Sequence, residues 1–204
     1  MVRLAISERR DLLIAAAWRV MARDGVAAAT TRAICAEAEM PQSSFHYCFD
    51  TRADLLRIVV TSRLPEHLKV SIEALEQGRT PDERIRLALD TWWQDVVAHP
   101  ESHAVMFDIT MHSYYDPDLR DLAAFQYAAA HEAILTLLAH VVADDQFSWD
   151  TDPQQLAVWI IAFLDGIALR YIADPRNASF KAVQDAFTNN LAAHLRPTTA
   201  ATTV

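Results

Sequence analysis

Apolar residues recur along this chain three and four apart, at helical spacing, and almost nowhere in alternation. Leu13, Ala16, Ala17, Val20 and Met21 form one such stripe, which predicts a helix over 7–24 with Ser7 as cap and Gly25 as stop. Thr30 and Thr31 can cap a second, short helix with Ile34, Cys35 and Ala38 on one face. Glu39-Met40-Pro41 then breaks the pattern, because Pro41 cannot continue the preceding helix but suits the first position of the next. In the third helix polar Gln42, Ser43, Ser44, His46 and Tyr47 surround Phe45 and Phe49, which are read as core. Two short helices joined by a tight turn have the layout of a helix-turn-helix, whose second helix enters the DNA major groove. A fourth helix opens at Thr51 and runs to about Gln77, kinked or broken near Pro65.

Beyond it the punctuation is plain. Thr80-Pro81-Asp82-Glu83 is a capping box with proline at the first helical position, and its helix ends near His99-Pro100. Further helices are predicted over 100–113, from Asp116-Pro117 to about 144, from Asp152-Pro153 to 174, and from Ser179 to about 195. The small, polar residues 197–204 read as a disordered tail. The expected architecture is all-α, with about nine helices. A three-helix DNA-binding head over 1–50 precedes a second domain over 51–196 that carries the dimerisation helices. In the penultimate helix Leu156, Trp159, Ile160, Phe163, Leu164, Ile167, Leu169, Tyr171 and Ile172 cover more than one face, so it must be buried on nearly all sides. Val183, Phe187, Leu191 and Leu195 give the last helix a narrower stripe. Two such helices from each of two copies would make a four-helix interface, so a homodimer is expected.

The helix-turn-helix segment resembles the N-terminal signature of the TetR family of transcriptional repressors. There a Thr-rich cap, an Ile-Ala core pair, an Ala-Gly-Val turn, a recognition helix of small residues, an aromatic run and a Lys follow in order. Here the chain reads Thr30-Thr31, Ile34-Cys35, Ala38-Glu39-Met40, Gln42-Ser43-Ser44, His46-Tyr47-Cys48-Phe49 and Arg52. Glu39 stands where the family has Gly, His46 where it has Tyr and Arg52 where it has Lys. The first departure places a non-Gly residue at a turn where positive φ is expected. The resemblance covers about the first quarter of the chain. It implies a ligand-responsive repressor whose dimer grips a palindromic operator and whose fourth helix carries the effector signal to the head.

Charge bears on this reading through its distribution. The 204-residue chain carries a net −9, but residues 1–63 hold nine Arg against seven Asp and Glu, leaving the head slightly basic, as phosphate binding needs. The two cysteines supply no disulfide framework, the start shows no secretory pattern, and no unbroken apolar run approaches a membrane span. A cytoplasmic location is therefore expected.

Base reading requires groups that donate and accept at a groove edge. Gln42 can pair bidentately with adenine, Ser44 can reach several bases, and Ser43 permits close approach. Tyr47 offers a ring and a hydroxyl, and Thr31 can join backbone N–H groups around a phosphate. The resemblance adds His46 and Arg52 as phosphate contacts, and Arg9 or Arg10 stands near enough the start of the first helix to be another. For the effector pocket, Trp92, Phe107, Tyr127, Trp159 and Phe163 offer aromatic walls, with His112 and His131 as polar handles. Arg120 is the one Lys or Arg between Arg86 and Arg170, which favours a neutral or cationic hydrophobic effector over an anion. No metal-ligand spacing, phosphate loop or nucleophile elbow appears, so no cofactor and no catalysis are expected. The competing reading is an all-helical carrier or enzyme with a vestigial helix-turn-helix.

Overall fold

A computed structural model describes residues 5–144, 146–177 and 179–198. Among them run α1 (Ile6–Asp24), α2 (Thr31–Glu37), α3 (Ser43–Cys48), α4 (Arg52–Ser62), α5 (Leu64–Leu75), α6 (Pro81–Ala98), α7 (Pro100–Tyr115), α8 (Leu122–Val141), α9 (Pro153–Ala173) and α10 (Phe180–Ala192). One short antiparallel ladder joins β1 (Phe147–Trp149) to β2 (Leu195–Pro197). The chain is thus all-α in class. Only Arg63 separates α4 from α5, so together they are the broken fourth helix, and Pro65 sits in the first turn of α5, where a missing N–H costs little.

Capping explains most boundaries. Thr30, Thr51, Thr80 and Asp152 each accept a backbone N–H of the turn they open, and Pro81 and Pro153 take first helical positions. Several ends differ from the sequence reading, among them α7, which runs on from 113 to Tyr115. Ser7 lies inside α1, where Ala5 is the cap residue and Glu8 accepts the Ala5 N–H at 2.8 Å. Asp116 caps a 3₁₀ turn over Pro117–Leu119, so the long helix begins only at Leu122. That helix stops at Val141, short of 144. The last helix stops at Ala192, because Leu195 pairs with Trp149 in the ladder. Pro197 pairs there with Phe147 and Thr198 donates to the Gln146 carbonyl at 2.8 Å, so the expected disordered tail begins in ordered backbone; 199–204 lie outside the described residues.

Two compact units emerge. The first gathers the described residues of Met1–Arg63 and Glu101–Ala128. The predicted stripe of α1 is buried in full, with Ile34 and Cys35, Phe45 and Phe49, Leu55, Leu56 and Val59, and also Val105, Ile109, Leu119 and Leu122. Polar groups close this core at the start of the 3₁₀ turn Val26–Ala28. Gly25 holds φ 84°, and Asp108 Oδ2 accepts the Val26 N–H at 2.6 Å. Arg52 donates to the carbonyls of Ala29 (2.9 Å) and Val26 (2.5 Å), with Asp116 3.9 Å away.

The second unit comprises the described residues of Leu64–Pro100 and Ala129–Val204. Leu75, Ile85, Leu89, Leu138, Val141, Leu156, Ile160, Phe187 and Leu191 form its core. Trp149 ties the ladder to α8 by donating its indole N–H to the Leu138 carbonyl at 3.1 Å. By length and composition alone two helical stretches, Pro117–Val141 and Pro153–Ala173, are apolar enough to cross a membrane. Scattered polar residues hid this from a search for unbroken apolar runs. Both α8 and α9 contribute buried side chains to this core.

Glu39 has φ 55°, the left-handed conformation expected where the family carries Gly, and its side chain is exposed. Glu39→Gly is therefore expected to stabilise the first unit by about 1 kcal/mol in urea unfolding, and a less stable variant would show no strain there. Arg52→Ala should lower stability by about 2 kcal/mol through its lost carbonyl bonds. Unchanged stability with a flatter salt dependence of DNA binding would return Arg52 to a phosphate.

Candidate nucleic-acid interface and effector cavity

The third helix is only six residues long, and its two faces differ sharply. Phe45 and Cys48 point inward, followed by Phe49, and hold it against the first core. Gln42, Ser43, His46 and Tyr47 point outward, with Tyr47 74% exposed. This spacing places four polar side chains on one solvent face of one and a half turns. Ser44 does not join them. It is 8% exposed, because it stands four residues before Cys48 on the inner face, so the base contact expected of it is not supported.

The helix is held from α1 and α2. Arg10 Nη1 donates to the Cys48 carbonyl at 3.0 Å, closing the C-terminal end of α3, and its guanidinium lies 4.9 Å from the Phe49 ring centroid. The phosphate role considered for Arg10 thus gives way to a capping one. Arg19 and Arg23 reach Glu37 at 2.7 and 3.0 Å, and these bonds hold its carboxyl below the usual range. Thr30 caps α2, Thr31 stands half-buried at its first position, and Arg32 is exposed on the same turn. Sequence reading passed over Arg32, whose only signal was its place after two threonines.

Arg52, expected at a phosphate, is engaged within the fold. Its side chain is 24% exposed and engaged with two carbonyls; burial pulls its pKa down, with Asp116 opposing. A guanidinium so directed holds the loop before α2, and no phosphate role follows from its position. Cys35 and Cys48 are free and buried, and burial pushes the Cys35 thiol up, away from the reactive thiolate. Among the described residues no three His, Cys, Asp or Glu side chains group as metal ligands.

The second unit contains an apolar cavity of about 80 Å³. Ser71 from α5, Leu89 and Trp92 from α6, Leu138 from α8, and Ile160 and Leu164 from α9 are among its walls. Of the seven residues expected to line an effector pocket, Trp92 does so. Trp159 and Phe163 each fall one position short of a cavity residue and pack instead on Phe187, Phe163 stacking with ring centroids 3.6 Å apart. His131 meets the Gln154 side chain at 2.6 Å. Phe107, His112 and Tyr127 belong to the other unit, where His112 Nδ1 lies 3.0 Å from Asp108, the carboxylate that receives Val26. Aromatic content had marked core more than cavity. Gln184, also unanticipated, is 3% exposed and donates to the Leu89 carbonyl and to Asp90, both at 3.2 Å, while its own oxygen is buried without a partner.

Comparison with known proteins matches the chain in two consecutive parts, the second of which spans residues from both compact units. Residues 13–59 match the bacterial regulatory proteins of the tetR family, and residues 81–196 match the C-terminal domain of BetI-type transcriptional repressors. The chain is 29% identical over 185 residues to the HTH-type nicotine-responsive transcriptional repressor HdnoR of Paenarthrobacter nicotinovorans, covering 90% of this chain and 94% of that protein. It is 25% identical over 188 residues to the HTH-type transcriptional regulator PksA of Bacillus subtilis, covering 82% and 80%. A TetR-family regulator from Rhodococcus sp. superposes with a TM-score of 0.74 at 20% identity, over 93% of this chain and all of that one. A regulator from Saccharomonospora viridis in complex with choline does so with 0.65 at 21%, over 92% and 97%. With both of its parts matched in order, the chain belongs to the TetR family of bacterial regulatory proteins, and it is a ligand-responsive DNA-binding transcriptional regulator.

Proposed function

We propose that this chain is a cytoplasmic, homodimeric repressor released from a palindromic operator by a small hydrophobic effector. The observation that carries the reading is the outward face of α3, with Gln42, Ser43, His46 and Tyr47 exposed together on a helix otherwise buried. In this reading each protomer lays that face in one major groove, Gln42 and Tyr47 reading base edges and His46 contacting phosphate. Thr31 and Arg32, at the start of α2, face the flanking backbone, where helix N–H groups and a guanidinium suit a phosphate.

Dimerisation is supported by apolar surface on the last two helices. Val158 and Leu169 on α9 are 61% and 54% exposed, and Val183 on α10 is 46% exposed. Gly166 leaves open space beside α9, room for a close approach by a second helix. Two protomers joined there present two heads, and half-site centres then fall about one helical turn, or a multiple, apart. Effector binding in the second unit favours a conformation whose heads are wrongly spaced, so effector and operator weaken each other's binding by the same factor. Repression is the sense carried by the BetI-type model and by the nicotine-responsive relative.

Selection of the purified protein against randomised duplex DNA at two salt concentrations tests the reading. An inverted repeat that stays enriched at the higher salt is expected; no enrichment from a folded dimer would count against operator binding. On the selected site, Gln42→Ala and Tyr47→Ala should each cost about 1–3 kcal/mol of binding while the dimer persists in sedimentation. Unaltered affinity would remove the residue from the contact set.

A further inference from the structure

We infer that the cavity of the second unit is built for a compact, uncharged hydrophobic molecule and discriminates against organic cations. This deepens the effector-responsive reading above and rests on it. Among the described residues none that lines the cavity is charged, and Ser71 and Trp92 bring its polar side chains. An ammonium group entering such walls would lose its water without gaining a carboxylate, at a cost of several kcal/mol. Capture by cation–π contact needs the ion within about 6 Å of ring faces arranged around it. A single tryptophan does not make that arrangement.

Two carboxylates of α6 are already engaged. Asp90, on α6 beside the cavity, accepts from Gln184 at 3.2 Å and pairs with Lys181 at 3.5 Å. Asp95, further along α6, lies 3.7 Å from His67. A neighbouring aromatic cluster packs beside Trp92, whose ring centroid lies 6.2 Å from that of Trp93. Trp93, Tyr171 and Phe180 meet one another with centroids 5.2–5.6 Å apart, which fills the space a caged cation would occupy. The divergence is notable because the relatives' names mention nicotine and choline, both nitrogen compounds.

Size narrows the class further. The cavity holds about 80 Å³, whereas roughly 150 Å³ of leucine-, isoleucine- and phenylalanine-lined space is known to take benzene. The space as it stands is about half of that, so a single ring or short branched chain is the upper limit of size and must widen the cavity to bind. The Ser71 hydroxyl offers one hydrogen bond, suited to a lone alcohol or carbonyl oxygen on the ligand.

A matched pair of probes tests this: choline, and 3,3-dimethylbutan-1-ol, in which carbon replaces the charged nitrogen at almost unchanged shape. Calorimetry on the purified full-length protein is expected to show the neutral alcohol binding more tightly by about tenfold or more. Choline binding as well or better, or saturating binding of neither probe, overturns the inference. Ala88→Phe, placing a ring in the cavity, should abolish binding of the alcohol; because that variant could fail to fold, Ser71→Ala provides a second arm. It should weaken the alcohol several-fold while leaving toluene binding intact, and equal loss of both would deny Ser71 its part. The DNA selection is run without either probe. An enriched operator with no neutral preference defeats the effector class alone, whereas absence of DNA selectivity defeats the regulatory reading itself.

Discussion

A helix of six residues cannot hold its shape in water, since nucleation fixes more backbone freedom than so few hydrogen bonds return. The exposed polar face of α3 depends on how that helix is held from outside. Phe45 anchors it with no exposed surface, Arg10 from α1 takes the Cys48 carbonyl, and Phe49 lies under the same guanidinium. Its polar face, Gln42, Ser43, His46 and Tyr47, is thereby held out to solvent, with the His46 ring edge-on to Phe45.

The loop before α2 is organised by the opposite principle. There polar groups point inward and nearly all are matched: Val26 N–H to Asp108, the Val26 and Ala29 carbonyls to Arg52, and Asp108 in turn to His112. A partly buried guanidinium with two carbonyls and a nearby carboxylate is costly to disrupt, since removing one member leaves the others desolvated and unpaired. The body follows yet another logic. Its cavity is walled by leucine and isoleucine, and its charges are arranged around that apolar centre without entering it.

Much of this was legible in the chain. Threonine and aspartate caps, N1 prolines and the stripe of α1 act within a few residues of their own positions, so local reading finds them. The left-handed conformation of Glu39 was legible from the resemblance, because the family carries Gly at that turn. What escaped depends on distant partners. Ser43 and Ser44 are the same residue type one position apart, and only the burial of Phe45 and Cys48 decides which faces out. Arg52 looked like a phosphate ligand because its carbonyl partners lie 23 and 26 residues away. The cavity was missed for a general reason. A void is defined by what fails to fill it, and aromatic residues such as Phe163 and Phe187 fill space by stacking on one another.

The anchorage of the Val26 loop by Asp108 bears on how such a regulator can be cut and recombined. The head is continuous in sequence only as far as Arg63, yet its core includes Val105, Ile109, Leu119 and Leu122, and its loop donates to a carboxylate 82 residues downstream. A transplanted N-terminal segment would arrive with a gap in its core and an amide lacking its acceptor. Chimaeras that exchange heads between related bodies must therefore carry residues 101–128 along with the helix-turn-helix. In this chain the compact unit that holds the helix-turn-helix is discontinuous in the gene.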